Sequence, residues 1–231
     1  KNVYKIAVLP KPRKFLGLLA KPNAPFVMSN FLRFREKARS KRFAGMTGEE
    51  AYAVYGESAM KAQSTMGSRM IWASENVQKI AGSGVPDFEA IAFLEYTSPK
   101  VFLKFAIFGD YDSSARSAGL KGQWLLASTT LEESDNKSLD GVSIVEIFSI
   151  KSARKSKNPN WFDAWKEVKL KSGGVTVWEG SADSQQIGCA TKTPNMIVVT
   201  QFPDIESLQN VLATEAATAI KNLAEDRLED Y

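Results

Sequence analysis

Two carboxylates, Glu95 and Glu146, are the side chains of this sequence best suited to acid–base chemistry. Each lies in a run of alternating apolar residues, and a carboxylate withdrawn from water has a raised pKa and can act as a general base. When the two halves of the chain are aligned, Asn30 falls opposite Glu146, Glu95 opposite Gln201, and Trp72 opposite Trp178. A few polar groups on largely apolar walls are what a small-molecule pocket needs. The same groups could equally hydrogen-bond across a pseudo-two-fold interface, since buried polar groups generally find partners. The two tryptophans could stack on an aromatic ligand or fill a core. Tyr52 and Tyr55 could present phenols to a substrate, although their helical spacing also suits packing. Arg116 could hold an anion or clamp a loop.

Several chemistries are excluded by what the sequence lacks. It has no histidine, which removes Ser-His-Asp and Cys-His catalysis, histidine-ligated haem and most zinc sites. Gly82-Ser83-Gly84 is followed by Val85-Pro86 and reads as a turn, so no glycine loop cradles a phosphate. No cofactor and no metal are expected. The single cysteine, Cys189, cannot form an internal disulfide and fits a reducing compartment. The chain begins at Lys1 without an initiator methionine, so the expectation is cytoplasm, or an organelle matrix or stroma after loss of a targeting peptide. No run of ~20 apolar residues is present for a membrane span.

The elements that must position these residues occur twice in one order. In the first half a strand over Phe26–Phe34 precedes a helix opening at Thr47, a strand with Trp72, a strand ending Glu95-Tyr96, and a helix opening at Ser98-Pro99. In the second, a strand over Val142–Ile150 precedes a helix opening at Pro159, a strand with Trp178, a strand ending Gln201-Phe202, and a helix opening at Asp204. Thr47 and Glu50 have capping-box spacing. The run Val101–Phe108 predicts a buried helix. The final helix is predicted to be long, burying Ile205, Leu208, Leu212, Ala216, Ala219 and Leu223. A fourth strand, Gln123–Leu131, closes the first half, and Val3–Leu9 is expected to pair at the corresponding edge of the second. The domains read as an extension over 1–24, a first domain over 25–131, a linker over 132–140 and a second domain over 141–231.

The densest charge is Arg33, Arg35, Lys37, Arg39, Lys41 and Arg42, and the equivalent loop in the second half carries Lys151, Arg154, Lys155 and Lys157. A protein partner is the expected contact of Arg35, Lys37, Arg39, Lys41, Arg42, Arg154, Lys155 and Lys157, with peripheral attraction to an anionic surface also open. The net charge of +4 and the lack of interleaved aromatics argue against nucleic acid.

The stretches Asn30–Arg35 and Glu50–Glu57, together with Tyr96–Pro99, Phe102, Asp110-Tyr111, Arg116 and Ala118–Leu120, resemble the domain-of-unknown-function 1330 family. The resemblance runs over roughly 25–130; the second half shares only the general pattern. It implies membership of the dimeric α+β barrel superfamily, whose members pair two ferredoxin-like domains. For this chain it implies an α+β fold of tandem ferredoxin-like domains forming an intramolecular, pseudo-dimeric barrel that could take a small, mostly apolar ligand. Relatives of the first half often carry a histidine just before the arginine aligned with Arg116, where this chain has Ala115. Two function classes follow. One is a non-catalytic binding or accessory protein, such as a subunit of a larger organellar assembly. The other is a cofactor-independent enzyme of oxygenase, isomerase or lyase type with Glu95 or Glu146 as base, in which Asn30, Arg116 or Tyr52 orients a carbonyl or anion.

Overall fold

The computed structural model describes residues 23–82, 86–135, 141–148, 161–188 and 194–219. Val3–Leu9, Arg154, Lys155, Lys157 and Cys189 lie outside the described residues. The described residues form two compact units, one of residues 23–78, 86–127 and 185–188, the other of residues 79–82, 128–135, 141–148, 161–184 and 194–219.

The first unit contains β1 (Phe26–Phe34), a 3-10 turn (Lys41–Phe43), α1 (Gly48–Ser64), β2 (Arg69–Glu75), β3 (Ala90–Tyr96), α2 (Pro99–Phe108), α3 (Ser113–Gly119) and the start of β4 (Leu120–Glu133). Its strands run in the order β2-β3-β1-β4, which with a helix after β1 and another after β3 is the ferredoxin-like α+β arrangement. Alternation decides the two faces of the sheet. Phe26, Met28, Tyr96, Leu125 and Ala127 pack against Ala59, Phe102 and Phe105 of the helices. Their neighbours in sequence form a second, ring-to-ring cluster, with Phe31 lying 5.2 Å from Trp124, 5.5 Å from Phe88 and 6.1 Å from Phe93.

Helix starts follow their local chemistry. Thr47 and Glu50 complete a reciprocal capping box on α1, and the Ser98 hydroxyl caps α2 with Pro99 in its first turn. The buried helix expected from Val101–Phe108 is instead one-sided. Phe102 and Phe105 are buried, while Ile107 and Phe108 face solvent, Phe108 at 76% exposure, because a helix on one sheet can bury a single stripe.

The second unit contains the remainder of β4, then β5 (Val142–Phe148), α4 (Trp161–Lys171), β6 (Val175–Gly188), β7 (Met196–Phe202) and α5 (Ile205–Leu212), with β7 between β6 and β5. The repeat extends to an irregularity: β2 shifts register against β3 between Met70 and Trp72, and β6 against β7 between Thr176 and Trp178. Ile144, Trp165, Phe202, Leu208, Val211 and Ala217 form its helix-side core. The long final helix expected from the sequence is interrupted after Leu212. Thr214 accepts a hydrogen bond from Ala217 N at 3.2 Å and so caps a new turn, and Ile205 is exposed.

Two glycines allow the end of β1, the start of α1 and the end of α3 to meet. A Cβ on Gly48 would lie 2.4 Å from the Arg35 carbonyl oxygen, and one on Gly119 would lie 2.3 Å from the Gly48 carbonyl oxygen. Gly119→Ala is therefore expected to lower stability by at least about 2 kcal/mol in urea unfolding. Gly56→Ala, where nothing lies within 4 Å of the added carbon, should stabilise by up to about 1 kcal/mol. Equal midpoints for the two variants would remove the close approach as a constraint.

Candidate functional site

Glu146 lies on the helix-facing side of β5, across from Val198. Trp165 Nε1 donates to its Oε1, and Lys169 Nζ forms an ion pair with its Oε2. Trp165 and Lys169 are four apart on α4 and so share a face; Lys169 Nζ sits 5.5 Å from the centre of the Trp165 ring, and its side chain is 1% exposed. The carboxylate is thus held on both oxygens. Sequence reasoning missed Lys169. The available signal was its place one turn beyond Trp165 on the apolar stripe of α4.

Glu95 pairs with Arg69 at 2.6 Å and retains partial solvent exposure. It lies across from Val27, whereas Asn30 lies across from Ala92, so the two occupy opposite faces of the first sheet. Asn30 donates both amide hydrogens to backbone, to Met28 O at 2.8 Å and Ala92 O at 3.1 Å. Trp72 packs 5.5 Å from Phe93. In the second unit Trp178 is fully buried and donates to Thr130 Oγ1 at 3.1 Å. Gln201 is buried across from Ser143, one residue out of phase with the Val198 that faces Glu146. Within each unit the matched residues therefore divide between two faces instead of converging.

The structure does gather Tyr52 and Arg116, together with Tyr55, Tyr111 and Gln123, all half-buried. Tyr52 and Tyr55 come from α1, Arg116 from α3 and Gln123 from β4. The Tyr55 ring lies 5.1 Å from Tyr52, 5.5 Å from Tyr111 and 5.5 Å from the Arg116 guanidinium carbon. Arg116 donates to the Gln123 side-chain oxygen. Burial pushes the Tyr52, Tyr55 and Tyr111 phenols upward, against the opposing pull of Arg116, so all three stay protonated near neutral pH. The Tyr111 hydroxyl donates to Ala106 O at 3.0 Å, so one cation and the neutral phenols of Tyr52 and Tyr55 are the donors the cluster presents.

Asp112 fixes this cluster from the rim. Its Oδ1 accepts from Ala115 N at 3.0 Å and from the Ser114 hydroxyl at 2.6 Å, and its Oδ2 pairs with Arg42 at 2.6 Å. Its backbone N–H donates to Ser58 Oγ of α1 at 3.1 Å. Burial works to raise its pKa, but the Ser114, Ala115 and Arg42 contacts outweigh it and leave it depressed.

Of the expected contact residues, Lys37, Arg39, Lys41 and Arg42 are exposed and Arg35 is half-buried. Arg42 also lies 5.0 Å over the Phe43 ring. No group of histidine, cysteine, aspartate and glutamate able to hold a metal occurs among the described residues. No described helix is long and apolar enough to cross a membrane.

No family model matches the chain, and no curated protein does. Among solved structures, it is similar to a protein of unknown function from Rhodopseudomonas palustris at 23% identity, covering 54% of this chain and 97% of that one with a TM-score of 0.46. An anthrone oxidase-like protein matches at 10% identity over 91% of this chain and 86% of that one, TM-score 0.49. A protein from Fusobacterium nucleatum subsp. nucleatum named as a monooxygenase matches at 12% identity over 88% and 87%, TM-score 0.42. At these values no residue role passes from those proteins to this chain.

Two outcomes test the geometry. Glu146→Gln or Lys169→Met alone should cost about 3–5 kcal/mol in chemical unfolding, while Glu146→Leu with Lys169→Met should recover most of it. Single changes costing under ~1 kcal/mol would show that the pair is not a buried unit. Because the Asp112 pKa is depressed in the folded state, its stabilisation is present above the ordinary carboxylate pKa and lost as pH falls through the depressed value. The gap in unfolding midpoint between the native chain and Asp112→Asn should be constant from pH ~5 upward and close on acidification. A gap unchanged at low pH would mean that the carboxylate charge is not its source.

Proposed function

We propose that this protein is a non-catalytic binding protein for a small molecule that joins an apolar, aromatic-sized body to a carboxylate or similarly anionic oxygen. The observation that carries this reading is the cluster of Tyr52, Tyr55, Tyr111 and Arg116. It offers rings for an apolar body and, for an oxygen anion, a guanidinium with the phenol hydrogens of Tyr52 and Tyr55, the Tyr111 hydroxyl being donated to Ala106 O at 3.0 Å. Guanidinium-to-carboxylate hydrogen bonds are charge-assisted and directional, so Arg116 sets the polarity of the ligand. The aromatic neighbours, extended by Phe34 at 5.3 Å from Tyr52, set its shape.

The enzyme reading needs a free base, and both candidates are engaged. Glu146 is held by a buried lysine and an indole, and Glu95 by Arg69. Gln63 Nε2 donates to the buried Tyr96 hydroxyl at 2.7 Å, so that phenol too has a structural partner.

Benzoate serves as a probe of ligand class. Saturable binding followed by ligand-observed NMR should weaken at least about tenfold in Arg116→Gln, a loss of ~1.4 kcal/mol. Benzamide, which has the same shape without the charge, should bind more weakly than benzoate. Affinity should stay flat between pH 6 and 9, since the phenols remain neutral throughout. Equal binding of benzoate by the native chain and Arg116→Gln, with both folded, would discard the proposal.

A further inference from the structure

Between residues 33 and 42 the chain carries six cations and one carboxylate, Glu36. This segment is an ordered turn and not a loose charged loop. Arg35 N donates to Gly119 O at 2.9 Å, Ala38 N to Met46 O at 3.0 Å, and Arg39 N to Ala118 O at 3.0 Å. Among the described residues the one ion pair of these cations is Arg42 with Asp112, and the Glu89 carboxylate accepts from Phe34 N at the start of the segment. Arg35 Nε is buried without a hydrogen-bond partner. Burial and the charge of Arg39 together pull the Arg35 pKa down. The segment is therefore short of negative charge, and like charges have been folded against one another at a cost.

Ser40 stands in the middle of this excess. It is exposed, as are Lys37, Arg39, Lys41 and Arg42 around it. Its backbone φ is 119°, a region that non-glycine residues occupy only under strain of about 1–3 kcal/mol. Its hydroxyl has one long contact, accepting from Arg42 N at 3.3 Å. The Ser40 carbonyl accepts from Phe43 N at 3.1 Å, so the backbone is fixed while the hydroxyl is loosely held.

We infer that Ser40 is a phosphorylation site whose phosphoryl group is read by the surrounding cations and draws Arg42 away from Asp112. The donor is a nucleoside triphosphate. A bond forms between Ser40 Oγ and the γ-phosphorus as the bond from that phosphorus to the β-phosphate oxygen breaks, the nucleoside diphosphate leaves, and the hydroxyl proton passes to a carboxylate of the transferring kinase. Arg35, Lys37 and Arg39, at positions −5, −3 and −1 from Ser40, suit a kinase whose peptide groove is lined with carboxylates. The added charge of about −2 offsets part of the local excess and offers three acceptor oxygens to arginines one and two residues away. Arg42 then has two competing anions, and the dianion is the stronger. This inference is independent of the ligand reading above, because it rests on the turn and not on the tyrosines.

The test uses the full chain with ATP and the catalytic subunit of cyclic-AMP-dependent protein kinase, with phosphopeptides mapped by mass spectrometry. Ser40 should be the principal site. Incorporation should vanish there in Ser40→Ala and slow at least tenfold in Lys37→Gln with Arg39→Gln. In phosphorus NMR, the phosphoserine of the folded protein should titrate at lower pH than that of the urea-unfolded chain, and Arg42→Gln should abolish most of this difference. Labelling of other serines with Ser40 untouched would overturn the inference, as would a phosphate that titrates alike in the folded and unfolded chains. A third overturning outcome is that inorganic phosphate alone, at millimolar concentration, shifts the Ser40 and Arg42 resonances as phosphorylation does, which would make the turn a simple anion site.

Discussion

The backbone of Arg35 is gripped from both sides, donating to Gly119 O at 2.9 Å and accepting from Gly48 N at 2.8 Å. These two bonds join the end of β1 to the start of α1 and the end of α3, and both need glycine, since any Cβ at residue 48 or 119 would meet backbone. The site inherits its geometry from this junction. α1 carries Tyr52 and Tyr55 one and two turns beyond Gly48, and α3 carries Arg116 three residues before Gly119. Ala115 and Ala118 pack against Ala51 on the facing helix, and small side chains there keep the two backbones close. The basic turn leaves from the same point. The first unit thus places its donor cluster and its charge excess by one backbone constraint.

The second unit solves the same packing problem with different chemistry. Gly67 and Gly173 both have positive φ, 75° and 83°, and mark matching exits from α1 and α4. Four residues before each lies a buried polar side chain, Gln63 in one unit and Lys169 in the other. Gln63 is satisfied by a neutral phenol and Lys169 by a carboxylate. The strand partner changes in step, with Asn30 bonded to backbone where its counterpart Glu146 bonds to Lys169 and Trp165. A lone Glu146 or Lys169 would leave an uncompensated charge inside the helix-to-sheet core, so the two substitutions make sense only together. A second lysine of α4, Lys166, bridges Glu132 at 2.8 Å and Glu179 at 3.0 Å. Burial works against its proton, but the two carboxylates outweigh that and raise its pKa. The shorter helix is tied down by charge where α1 relies on a longer apolar stripe.

Much of the fold was legible because it is written in local rules. Alternation placed β1, β3, β5 and β7, and capping chemistry placed the starts of α1 at Thr47, α2 at Ser98 and α5 at Asp204. The short α3 was missed because seven residues of serine, alanine, arginine and glycine carry almost no periodic signal; Asp112 as its cap was the one available clue. The site was less legible because it depends on register. Sequence alignment of the halves paired Asn30 with Glu146 and Glu95 with Gln201, and those matches are compatible with the strand pairings. Which face each residue takes is fixed only when Asn30 meets Ala92 and Glu95 meets Val27 across the sheet. Tyr52 and Arg116 were picked out singly, but their meeting requires α1 and α3 to cross, which spacing along the chain does not encode.

Burial that raises a phenol's pKa also limits what the phenol can do. A tyrosine base must give up its proton near neutral pH, and desolvation of Tyr52, Tyr55 and Tyr111 moves each further from that condition. Arg116 acts in the opposite direction on the same groups but does not prevail. The positive charge of the cluster is then that of Arg116, and the sequence has no histidine to add a titrating partner. At its periphery, Asp112 links the cap of α3 to Arg42, and α1 to both through Ser58.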